Sequence, residues 1–137
     1  MLKSALTAFA LFGFAAVAHA QAGGCPTPGA LSGEWQGMYT QGDGAVPFDL
    51  RLREATREIA GSIVEPNAIG DLSQSLFLTA TFTGTRQGCQ INFVKTYSGL
   101  GGQNHSVTYQ GTVDRTGNRI TGVYEGGAGR FDLVRLP

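Results

Sequence analysis

Beyond position 20 the chain carries few groups able to do chemistry: Tyr39, Tyr97, Tyr109 and Tyr124, one lysine (Lys95), one histidine (His105) and two cysteines (Cys25, Cys89). Phenols both donate and accept hydrogen bonds, and a few of them facing an apolar cup are what a small-molecule site offers. A lone His beside two cysteines able to pair makes neither a metal cluster nor a thiolate nucleophile. Glu34, Asp49 and Glu125 alternate out of phase with the aromatic residues, so no convergent acid pair for glycoside chemistry emerges. Gly99-Leu100-Gly101-Gly102 lacks the Lys-Ser/Thr ending and the following helix of a phosphate loop. The pattern argues against an enzyme and calls for no cofactor; haem on His105 alone would need a large apolar pocket beside it.

These side chains must be positioned by strands. Period-two alternation recurs about every dozen residues with turn residues between, which predicts strands near 33–40, 47–54, 58–65, 75–84, 89–98, 105–114, 119–125 and 129–136. One parity is apolar or aromatic, as in Phe48, Leu50, Leu52 and Ile91, Phe93, Lys95, Tyr97; the other is mostly Thr, Gln, Ser, Asp and Arg. The fold class expected is all-β, a single eight-stranded antiparallel up-and-down barrel with its apolar face inside. An outer-membrane barrel would need an apolar outer band, and Asp49, Arg51, Arg53, Gln90, Asn92, Gln110 and Asp114 leave no room for one.

The connections divide by end. Those after strands two, four and six are tight, whereas Gln41 to Val46, Pro66 to Gln74, Gly99 to Asn104 and Glu125 to Ala128 are longer or Gly-rich and would form a mouth. Both termini, Cys25 and Cys89 then fall at the closed end, so a disulfide is geometrically plausible.

Residues 1–20 read as an export signal: Lys3, an apolar run from Ala5 to Ala18, and a cleavable Ala18-His19-Ala20. The remaining chain, 21–137, is one domain's worth, expected to be secreted or periplasmic, where Cys25 and Cys89 would oxidise. Losing Lys3 turns ten basic against ten acidic groups into nine against ten, which argues against nucleic acid and against membrane insertion or an anionic membrane as partner.

Gly33-Glu34-Trp35 opening the first strand and Arg135 late in the last resemble the calycin superfamily of lipocalins, fatty-acid-binding proteins and avidins. The resemblance implies that Arg135 lies over the Trp35 ring and bonds backbone carbonyls of the entering segment, a structural closure. Cys25 followed by this motif and a Gly-rich meander is most similar to the avidins. Trp35 is the only tryptophan, however, whereas the avidin pocket stacks its ligand on several, so biotin is not implied.

The leading expectation is a barrel that takes a small, partly apolar ligand in its mouth. Tyr39, Tyr97, Tyr124, Lys95 and His105 would supply polar contacts over a floor of Phe48, Phe93 and Phe131. The tyrosines could equally fill the barrel. The inward glycines Gly37, Gly61, Gly111 and Gly122 either leave room for a ligand or, as expected, accommodate larger neighbours and let the sheet coil. An inward Lys95 would need a carboxylate, hydroxyls or an anionic ligand; the placement expected is a bulge or mouth position from which its head reaches solvent. The alternative function is a filled barrel that engages an exported protein through the loop Pro66-Asn67-Ala68-Ile69-Gly70-Asp71-Leu72.

Overall fold

Alternation of in-facing apolar and out-facing polar residues extends through eight strands in the computed structural model, which describes residues 24–137. The export signal expected over 1–20 lies outside the described residues. The strands are β1 (Gly33–Gln41), β2 (Gly44–Ala55), β3 (Glu58–Pro66), β4 (Phe77–Gln87), β5 (Gln90–Tyr97), β6 (Ser106–Val113), β7 (Arg119–Tyr124) and β8 (Gly129–Arg135). Each pairs antiparallel with its sequence neighbours, and β8 pairs with β1, closing an up-and-down barrel. No helix among the described residues is long and apolar enough to cross a membrane.

The expected strands are all present, with two shifts that matter. Strand β2 begins at Gly44, not near 47, and Gln41 pairs directly with Gly44. The first mouth connection is therefore a two-residue turn, made possible by Gly42 at φ 56°. Strand β4 starts at Phe77, which leaves Leu76 outside the barrel at 67 % exposure.

The interior is filled. Trp35, Phe48, Leu50, Leu52, Ile59, Ile63, Phe82, Ile91, Phe93, Ile120, Phe131 and Leu133 form one buried cluster. A Cβ at Gly61 would strike the Arg51 carbonyl and the Phe82 ring, and one at Gly111 the Phe131 ring. The inward glycines thus let strands press together and receive aromatic rings, which is the expected second role, and they open no ligand space.

The closed end is sealed by charge as well as by apolar packing. Cys25 and Cys89 form a disulfide with Cα atoms 5.2 Å apart, which fits an oxidising compartment. Beside it, Arg86 forks onto the buried Glu54 carboxylate and donates to the carbonyls of Pro26 (2.9 Å), Thr27 (2.8 Å) and Gly88 (2.7 Å). Glu54 in turn accepts the Gly29 amide at 2.7 Å. Trp35 donates its indole N–H to Leu31 at 2.9 Å, and the Arg135 guanidinium lies 4.8 Å from its ring centroid. Arg135 also bonds the carbonyls of Ser32 (2.8 Å) and Ala30 in the entering segment.

A candidate ligand cup at the barrel mouth

The outward ends of β1, β5, β6 and β7 each present an inward tyrosine to the mouth: Tyr39, Tyr97, Tyr109 and Tyr124. With His105, Gln41, Val107 and Ile69 they line a cup of about 150 Å³. Ile69 leans over it because the β3–β4 connection is tied down. Asn67 donates to Ser75 at 2.8 Å and accepts from the Gly70 amide at 2.6 Å, while the Asp71 amide bonds Gly101 at 3.0 Å. Larger concavities lie on the outer wall; the one over β1, β7 and β8, about 560 Å³, is an open groove in which no polar groups converge on a point, apart from the exposed Arg119–Asp132 ion pair at its side.

Beneath the cup lies a network that the strand parity alone did not bring to notice. Lys95 points inward and is 0 % exposed, contrary to the expected reach to solvent; no bulge interrupts the pairing of β5 at that position. Its ammonium sits 2.5 Å from Oε2 of Glu65. Oε1 of the same carboxylate accepts the hydroxyls of Tyr39 at 3.1 Å and Tyr97 at 2.5 Å. The remaining face of the ammonium is covered by rings, at 5.0 Å from the Tyr39 centroid, 5.8 Å from Phe48 and 4.4 Å from Tyr97. Burial holds the Lys95 pKa below its usual value, although Glu65 opposes this. Burial and the Glu65 carboxylate together push Tyr39 and Tyr97 upward, so both remain protonated donors.

The structure therefore divides the expected site residues. Tyr39, Tyr97, His105 and Tyr124 meet around the cup, with His105 4.8 Å from the Tyr97 ring. Lys95 does not line the cup; it is sealed below by the rings it holds. Phe48, Phe93 and Phe131 belong to the core, because Tyr109 lies over them, stacked on Phe93 at 4.7 Å and edge-on to Phe131 at 5.2 Å. Tyr109, not the phenylalanine layer, is the floor. Burial is also the first cause that raises its pKa.

Two residues of this region, Glu65 and Tyr109, are not among the expected ligand contacts. Glu65 continues the inward parity of Ile59, Gly61 and Ile63, an exception to the rule that carboxylates on strands face solvent. Among the described residues no group of three or more His, Cys, Asp or Glu is placed to hold a metal ion. Comparison with protein-family models, curated proteins and solved structures found no match to this chain.

Proposed function

We propose that this protein is an exported calycin-like binding protein, secreted or periplasmic, that takes a small, partly apolar molecule in the mouth cup and performs no chemistry on it. The observation that carries the reading is the convergence of four tyrosines and His105 on one concavity, with the Tyr39 and Tyr97 hydroxyls held by a buried carboxylate. A cup of about 150 Å³ suits a single ring or a compact branched group, since an apolar cavity of about that size accepts benzene. The filled barrel beneath excludes the long chains that an open eight-stranded barrel would admit.

Native mass spectrometry with a panel of single-ring compounds tests this, comparing the natural chain with Val107→Phe, which fills the cup. Adducts that form with the natural chain and vanish in the variant support the reading. Equal adducts in both place binding elsewhere and refute it.

A second reading has its own observation. Leu72, Leu76 and Phe77 are 60, 67 and 56 % exposed along the β3–β4 connection, an apolar strip suited to a protein partner. Replacing these three residues by Ser should abolish capture of an exported partner while ligand uptake by the cup persists.

A further inference from the structure

We infer that the mouth cup selects a small organic cation, an amine or methylated ammonium that also carries an oxygen acceptor; this rests on the reading of the cup as a ligand site. A phenol has one proton to donate. Tyr39 and Tyr97 give theirs to Glu65, and Tyr124 gives its own to the Thr40 carbonyl. Three of the four hydroxyls therefore present only lone pairs to anything entering the cup.

Tyr109 is the exception. The residue is 2 % exposed, and among the described residues its hydroxyl has no hydrogen-bond partner. Among the described residues no fully buried side-chain nitrogen or oxygen is left unpaired, so this oxygen must reach the open space of the cup that Tyr109 lines. A buried hydroxyl held free at the bottom of a cup is a donor awaiting a ligand acceptor.

The walls favour positive charge. Tyr39 and Tyr124 meet edge-on at 5.8 Å, Tyr109 and Tyr124 are tilted at 5.6 Å, and Tyr97 faces His105, so a ligand is enclosed by aromatic rings on several sides. Rings so arranged attract ammonium groups through their negative faces. Tyr39 and Tyr97 already hold one such group, the Lys95 ammonium, whose charge Glu65 offsets. Outside the cup, the four mouth connections carry Asp43, Asp71 and Glu125 and no Lys or Arg, with Arg130 the first basic residue beyond them in β8. The closed-end turns instead carry Arg57 and Arg115 against the single acid Asp114. The field at the mouth is therefore negative, and it draws cations toward the ring of tyrosines.

The test uses three molecules of one shape. Choline is compared with dimethylbutanol, in which carbon replaces the ammonium nitrogen, and with dimethylbutanoate, which is anionic; affinities come from titration followed on the tyrosine ring resonances. Choline should bind about tenfold more tightly than the alcohol, and the carboxylate least. Tyr109→Phe should weaken choline several-fold and leave tetramethylammonium, which has no oxygen, unchanged. If the alcohol or the carboxylate binds as tightly as choline at the tyrosines, the charge preference is wrong while the cup remains a ligand site. If none of the three moves those resonances, the preference and the reading beneath it fall together.

Discussion

Lys95 and Glu65, 30 positions apart in the chain, meet inside the barrel with the ammonium 2.5 Å from the carboxylate, and both side chains are sealed from solvent. The pair brings β3 and β5 into one polar unit across β4, and its carboxylate fixes the Tyr39 and Tyr97 hydroxyls at the base of the cup. Removing one charge should therefore be far worse than removing both. Glu65→Gln is expected to cost about 3–5 kcal/mol because it strands the ammonium, whereas Glu65→Gln with Lys95→Met should recover much of that loss. Urea denaturation measures both; a Glu65→Gln protein as stable as the natural one would show that the pair supports nothing.

The closed end carries a second buried pair that shares its burden with the disulfide. Replacing Cys25 and Cys89 by Ser should cost about 4 kcal/mol on the chain-entropy account. Arg86→Ala should cost about 3 kcal/mol, since Glu54 and three carbonyls lose their partner. Both changes free the same 24–32 segment, so the combined variant should lose less than the sum. Strict additivity in denaturant would show that the two restraints act on separate parts of the fold.

Stability should depend on pH at both extremes. Burial raises the Glu54 pKa, but the Arg86 hydrogen bond and the Leu31 and Gly29 amides outweigh it, and the net shift is downward. A depressed carboxylate stabilises the fold above its usual pKa of 4.5 and loses that contribution as pH falls through the lower, folded value. On the alkaline side, Lys95 is lowered while Tyr39, Tyr97 and Tyr109 are raised. Between the lowered folded value of Lys95 and its usual 10.5, the unfolded chain holds the extra proton, so stability rises with pH. Above about 10 the unfolded phenols ionise while the buried ones cannot, so stability then falls. A thermal-melt series across pH should show an acid decline and a steep alkaline one; a flat alkaline limb would mean that the three phenols are not buried as described.

Arg135 closes the barrel by lying on Trp35 and bonding three carbonyls, those of Ser32, Ala30 and Gly117. A lysine keeps the charge but lacks the planar fork, so Arg135→Lys should lose about 1–2 kcal/mol and Arg135→Ala more. An Arg135→Lys melt identical to that of the natural protein would make the stacking incidental.

The barrel was legible because its sequence alternates faithfully. Phe48, Leu50 and Leu52 or Ile91, Phe93 and Tyr97 leave one face no choice but inward. The charged members of the same series were not, since alternation says where Glu54, Glu65, Arg86 and Lys95 point but not that two opposite pairs will meet. That depends on register between strands distant in sequence. Glu54 reaches Arg86 from β2 to β4, and Glu65 reaches Lys95 from β3 to β5, each across an intervening strand. The cup was half legible for a similar reason. Tyr39, Tyr97, Tyr124 and His105 lie at strand ends or in a loop that topology places at the mouth, whereas Tyr109 becomes the floor only because its ring stacks on Phe93.

The most direct measurement follows the aromatic and methionine-methyl resonances of the purified protein as choline is added. The account predicts saturable shifts at Tyr97, Tyr109, Tyr124 and His105, with Phe82 in the buried core and Met38 on the outer wall unmoved. Shifts centred on Met38 and the outer groove, or none at any concentration, would contradict it.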